Sequence, residues 1–217
     1  MLFRSSGWRV GSSAVTGFLE RAGVHLGKYN TVKATTNPYG SFEGLFMIAY
    51  QHRHFSNHHM PHTLEMTNED IEKKCIETKE EFLEDWDKQF GENDTVAVKC
   101  LMGTLIPAIK IHLPETKLKV VWLRRNLENE ALSLSRVMGV NSIHPKVFEW
   151  VVNADKFLDK YLKDQNVSIH EMYFDALLKD RVGVANSLCD YCEIDRLPDD
   201  LINDWFKPEY SRSTVKL

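Results

Sequence analysis

The sequence predicts an α/β fold, a single domain with a central parallel β-sheet flanked by helices, and three observations carry that expectation. A short apolar run, Leu2 to Ser6, leads through a glycine-containing turn into an amphipathic helix. The segment KVVWLR, Lys119 to Arg124, is a continuous β-branched and aromatic run of the kind that strands buried on both faces require. Further strand-like runs, Thr95 to Lys99 and Val167 to Met172, alternate with segments of helical periodicity. That alternation puts helices on both faces of parallel strands and ligands at the strands' carboxyl ends.

Size and composition bound the rest. With 217 residues, 43% of them hydrophobic, residues 1–217 are expected to form one domain. A net charge of -4 argues against nucleic acid or an anionic membrane surface as partner, so any anion site has to be locally basic. No run approaches the length of a bilayer crossing and the first residues lack a secretory pattern, so a cytoplasmic protein is expected. Cys75, Cys100, Cys189 and Cys192 are too few and too scattered for a disulfide scaffold and are expected as thiols. The spacing of Cys189 and Cys192 suits one helix face better than half of a zinc site.

Taken in order, the first structured stretch is Gly7 to Gly27, GWRVGSSAVTGFLERAGVHLG. Arg9 lies between Gly7 and Gly11, Ser12 and Ser13 are natural N-caps, and Val15, Leu19 and Ala22 give the helix its apolar stripe up to Gly23. Strand, turn and helix in this order make a P-loop-like unit, whose helix start offers N–H groups and a positive dipole end to an anion. Lys28 to Ser41 reads as loop, Phe42 to Tyr50 as helix, and QHRHFSNHHMPH as a loop holding His52, His54, His58, His59 and His62. From Thr67 to Gly91 one helix is expected, with Ile71, Cys75, Thr78, Phe82, Trp86 and Phe90 along its buried stripe. TVAVK reads as a strand ending in the cation Lys99, and Gly103 to His112 as a helix. After the Lys119 strand come helices from Leu127 to Val137 and from Pro145 to Asp164, a last strand, and mostly helix down to a WFKPEYSR tail. On this plan Arg9, Lys99 and Arg125 all lie at or just past strand ends.

Two constellations carry chemistry. The opening turn lacks GxxxxGKS/T, so it has neither the lysine for β- and γ-phosphates nor the following hydroxyl for magnesium, and it suits a phosphate handled without metal. In KVVWLRRNLENEALSLSR seven residues separate Arg125 from Ser133, an interval that runs from strand end into helix. A guanidinium fork and a hydroxyl so spaced can converge on one phosphate. The histidine cluster has no HExxH or cysteine pair beside it, and reads as a solvent-facing or acceptor-lining loop rather than a metal site.

Together these segments resemble the sulfotransferases that use 3′-phosphoadenosine 5′-phosphosulfate (PAPS), in their compact bacterial and phage-type branch. RVGSS is similar to that branch's RSGTS loop, AVTGFLERAGVHLG to its helix and GVxxG turn, and NPYGSFE, ending at Glu43, to its NPxGxxE element. VAVK is similar to the strand carrying a family lysine, Arg125 with Ser133 to the RxxxxxxxS signature, and VSIHEMYFDALLKD to the late strand and YEDLL segment. Val10 stands where the loop usually has serine, Cys100-Leu101-Met102 where DPR is common, and Asn126-Leu127 where DP is usual.

The resemblance implies a P-loop NTPase-like sulfotransferase fold and transfer of a sulfuryl group from PAPS to a hydroxyl or amine of a small-molecule or carbohydrate-like acceptor. The product would be 3′-phosphoadenosine 5′-phosphate (PAP). It implies that Arg9, Val10, Gly11, Ser12 and Ser13, assisted by Lys99, hold the 5′-phosphosulfate, that Arg125 and Ser133 hold the 3′-phosphate, and that no metal takes part. The acceptor's proton would go to Glu43 or to one of the five clustered histidines. Lys207 and Arg212 either add charge over the 3′-phosphate or belong to a solvated terminus. The alternatives are a P-loop kinase or other phosphotransferase, disfavoured by Arg9 in place of lysine, and a non-catalytic relative that binds a nucleotide or partner.

Overall fold

Strand β1 (Leu2–Ser5) lies between β6 (Val98–Leu101) and β7 (Lys119–Arg124), and β8 (Ser168–Tyr173) completes a sheet of order β6-β1-β7-β8. Every pairing is parallel, and the register sets Ser5 level with Leu101 on one side and Leu123 on the other. The structure, a computed structural model, describes residues 2–5, 11–30, 42–57, 60–61, 66–93, 95–101 and 103–207. Arg9, Val10, the NPYG segment, His58, His59, His62 and Arg212 lie outside the described residues.

Alternation along the strands builds two apolar layers. Val98, Cys100, Val120 and Trp122 face a layer formed by α2 (Leu45–Phe55), α3 (Asn68–Glu77), α4 (Lys79–Phe90), α5 (Leu105–His112) and α7 (Pro145–Asp164). Ala97, Val121, Leu123 and Met172 face the other, formed by α1 (Ser12–Arg21), α8 (Phe174–Lys179), α9 (Arg181–Cys192) and α10 (Asp199–Trp205). A sheet covered on both faces explains why KVVWLR is apolar without a period of two. Each large aliphatic or aromatic side chain so buried contributes about 1.5–3 kcal/mol. Helix α6 (Leu127–Val137) packs on α7 through Ala131, Leu134, Val147 and Val151. No helix among the described residues is long and apolar enough to cross a membrane.

Several expected boundaries shift for identifiable reasons. The cap of α1 is Gly11, not Ser12 or Ser13, because the chain enters the helix at φ 87, which glycine adopts without steric penalty. Lys99 lies inside β6 rather than at its end, since pairing with β1 continues two residues further to Leu101. The expected loop after Lys28 contains β2 (Tyr29–Asn30), which pairs antiparallel with β3 (Glu43–Gly44).

The histidine segment begins as helix. Helix α2 runs to Phe55 and carries His52 and His54, and contacts to α4 hold its last turn: Arg53 pairs with Glu81 and Asp85, and His54 hydrogen-bonds Glu81. Beyond it, β4 (Ser56–Asn57) and β5 (Met60–Pro61) pair antiparallel.

The single helix expected from Thr67 to Gly91 is two, α3 and α4, meeting at Thr78. A capping box between Thr67 and Asp70 starts α3 as expected. Thr78 then donates its hydroxyl to the Lys74 carbonyl, 2.7 Å away, and shares a 2.7 Å bond with the Tyr50 hydroxyl. A threonine bonded back to its own helix and to a neighbouring one offers the backbone an alternative to continuing the ladder.

All four cysteines are free and buried, and Cys189 and Cys192 share the α1-side layer from one helix. Burial pushes the Cys75 and Cys192 thiols up to about 12. The thiolate is the reactive form, so a disulfide reagent at mildly alkaline pH should label the native protein slowly and all four cysteines on unfolding in guanidinium. Rapid labelling of the native chain would contradict this packing.

Candidate functional site

The carboxyl end of the sheet is where α1 begins. A helix leaves its first amides without intrahelical acceptors and presents a positive dipole end. Here that start is seated against Phe174, because a Cβ on Gly11 would lie 2.3 Å from the Phe174 ring. Phe174 follows β8 directly and is 5% exposed. Arg125, the first residue past β7, places its guanidinium 5.7 Å from the centroid of that same ring. Gly11 and Arg125, far apart in sequence, thus meet at one aromatic side chain.

The two adjacent arginines have different surroundings. Arg124 bonds Asp155 and Glu171, both at 2.6 Å, and its guanidinium stacks between Trp122 and Tyr173 at 4.5 and 5.5 Å. It ties β7 to α7 and β8. Arg125 is buried, 6% exposed, at the Phe174 ring. Immediately after it, Asn126 donates its backbone N–H to Asp175 at 2.9 Å and caps α6 by accepting from the amides of Glu128 and Asn129. Asparagine does here what an aspartate would do as N-cap.

Ser133 is 5% exposed on the second turn of α6. Lys99 is 8% exposed, and strand alternation puts it on the face opposite Val98 and Cys100, the face covered by α1. Ser12 is buried in the first turn of α1, where its carbonyl accepts the Thr16 hydroxyl at 2.7 Å. On the far side of that turn, Trp205 donates its indole N–H to the Ala14 carbonyl at 2.7 Å, and Arg21 stacks 4.1 Å above its ring. Lys207, two residues on, pairs with Asp204 at 2.6 Å.

Glu43 stands in β3, which packs against β6, the strand of Lys99. The backbone around it is fixed by Gln89, 2% exposed. The Gln89 amide donates to the Leu26 and Lys28 carbonyls at 2.9 and 2.7 Å and accepts from the Phe46 N–H at 3.0 Å. Just before Glu43, Phe42 holds φ 47, a left-handed conformation that costs a bulky residue about 1–3 kcal/mol. Its ring fills the space left by Gly17 on α1 and lies 5.4 Å from Tyr29. Of the histidines, His52 is exposed on α2, and His54 bonds Glu81 at 3.1 Å with its ring 4.9 Å from Tyr50. Among the described residues no group of three or more histidines, cysteines and acids could hold a metal ion.

Phe174, Asp175 and Gln89 were not legible as site residues. Phe174 follows the strand like any apolar residue, and only the closeness of Gly11 reveals its role. A glutamine between the stripe positions Trp86 and Phe90 was the one sequence signal for Gln89. Replacing it by leucine takes the partner from the Leu26 carbonyl and the Phe46 amide, while the Lys28 carbonyl keeps the Leu45 N–H, so Gln89→Leu should cost about 3 kcal/mol in urea unfolding. Arg124→Met should cost about 2 kcal/mol in the same assay, since it leaves the buried Asp155 carboxylate without its cation.

No protein-family model matches the sequence, and no curated protein matches it in sequence. Solved structures do match. The sulfotransferase domain from the curacin biosynthetic pathway is 14% identical, with a TM-score of 0.52 over 97% of this chain and 78% of its own. The sulfotransferase domain from the Synechococcus PCC 7002 olefin synthase is 15% identical, with a TM-score of 0.49 over 98% and 78% respectively. The likeness to the curacin-pathway domain is one of architecture, and on it the chain has the α/β fold of a sulfotransferase domain, a parallel sheet flanked by helices.

Proposed function

We propose that this chain is a sulfotransferase that takes a sulfuryl group from PAPS and delivers it to a hydroxyl or amine of a small-molecule or carbohydrate-like acceptor. The observation that supports this best is the meeting of Gly11 and Arg125 at the Phe174 ring, at the carboxyl end of a sheet whose fold is shared with a sulfotransferase domain. The residues present suit a nucleotide carrying charge at two positions. Gly11 lets the start of α1 close on the Phe174 ring, and the assigned donors are helix amides, hydroxyls, two arginines and a lysine, with no carboxylate among them.

PAPS supplies the activated sulfuryl group. In this reading the first-turn amides of α1, with Arg9, Val10, Gly11, Ser12 and Ser13, hold the 5′ end and stabilise the charge that develops on the departing phosphate. Lys99 adds a cation from the face beneath α1. Arg125 and Ser133 hold the 3′-phosphate through charge-assisted and neutral hydrogen bonds. Glu43 accepts the acceptor's proton, its backbone held by Gln89 beside β6. The net charge of -4 disfavours nucleic acid or an anionic membrane as acceptor, and four free cysteines are in keeping with a cytoplasmic setting.

Calorimetric titration with PAP, in parallel with ATP and magnesium, tests the donor. PAP is expected to bind at least about tenfold more tightly, a difference of about 1.4 kcal/mol. Preference for magnesium-ATP would overturn the proposal. Arg125→Ala should weaken PAP by about 30-fold while leaving 5′-AMP within about threefold, because only PAP has the phosphate that Arg125 is assigned. Equal losses for both nucleotides would refute that assignment.

A further inference from the structure

We infer that Phe174 is a positioning residue that couples the start of α1 to Arg125, and through Arg125 sets the preference for a 3′-phosphorylated nucleotide over its 5′-monophosphate analogue. The inference rests on the donor site proposed above and adds to it a residue and a basis for selectivity.

The parallel register of β7 and β8 does not stop where the strands stop. Arg124 is paired with Tyr173 in the sheet and stacks its guanidinium 5.5 Å from that ring. One residue on, Arg125 lies 5.7 Å from the Phe174 ring centroid, and one further, the Asn126 amide bonds Asp175 at 2.9 Å. The last pair of the strands and the first two residues of each connection therefore stay in step, and Phe174 is held at the middle rung. Its ring is 5% exposed, and Gly11 leaves no room for even a methyl group between α1 and the ring.

An aromatic ring suits this position chemically. A guanidinium within about 6 Å of a ring centroid is attracted by the ring's quadrupole. That attraction orients the cation without competing, as an acceptor oxygen would, for the N–H groups that address an anion. A carboxylate at position 174 would instead take the guanidinium fork for itself and compete with phosphate. Because the same ring also abuts Gly11, displacement at either end presses on the other, and the two ends of the donor site are set together.

Calorimetry on the full chain with PAP and 5′-AMP tests this. Phe174→Leu keeps apolar volume and removes the π face. Its ratio of PAP to 5′-AMP affinity is expected to fall about tenfold from that of the unmodified chain, within the usual range for a partly desolvated cation–π contact. Phe174→Tyr keeps the ring and should hold the ratio within about threefold. Phe174→Met is the second variant, read in the same way, should Phe174→Leu not fold. If the unmodified chain binds PAP and neither apolar variant changes the ratio, the inference fails and the donor site stands. Parallel losses of both nucleotides at unchanged melting temperature also overturn it, since the ring would then support only the α1 turn. Should the unmodified chain bind neither nucleotide, the donor reading fails and this inference falls with it.

Discussion

Parallel pairing of β7 with β8 is the constraint on which the site depends. It aligns two strand-to-helix connections, so that the residues after Arg124 are matched one for one with those after Tyr173. Backbone hydrogen bonds set that alignment inside the sheet, where the last pair also places the Arg124 cation on the Tyr173 ring, and beyond it two contacts maintain it: the Arg125 cation on the Phe174 ring and the Asn126 backbone amide on the Asp175 carboxylate. Neither connection could be positioned so closely by its own sequence. The helix start of α1 then docks on the aligned pair because Gly11 has no side chain to hold it off.

The site's polar groups are expensive to bury, and the fold compensates in different ways at different points. Arg124 is surrounded by two carboxylates and two rings, a compact set that offsets desolvation of the cation. Gln89 reaches the same end without charge, using both N–H donors and its carbonyl on the backbone groups of Leu26, Lys28 and Phe46. Phe42 is an instance of conformational strain, held at φ 47 by the packing of its ring against Gly17 and Tyr29. Such outliers persist where surrounding contacts over-determine them. The residue it precedes is Glu43.

Much of the architecture was legible because it arises from local patterns. Helices α6 and α7 have the bounds their periodicity and caps suggested, and β7 itself is the apolar run KVVWLR. The features that the sequence hid depend on partners distant in the chain. Thr78 interrupts a continuous helical stripe where its hydroxyl both donates to the Lys74 carbonyl and bonds the Tyr50 hydroxyl. Lys99 moved from strand end to strand interior because β1 continues to pair beyond it. His52 and His54 lie in a helix whose last turn is tied to one almost thirty residues away, by the Arg53 ion pairs and the His54 to Glu81 hydrogen bond. At the site, the chemistry of Arg125 could be suspected from its spacing to Ser133, while the ring beside it could not, since nothing local distinguishes Phe174 from another core residue.

The central place of β1 has a consequence for how the chain reaches this structure. Its two edges are completed by Val98–Leu101 and by Lys119–Arg124, strands made much later as the polypeptide leaves the ribosome. Closing such long loops delays pairing, and unpaired strand edges are the surfaces on which nascent chains associate. Helix α1 can wind early, but its apolar stripe lacks a sheet to cover until β7 has emerged. Synthesis of the middle third of the molecule is therefore the interval in which a chaperone would have most to shield.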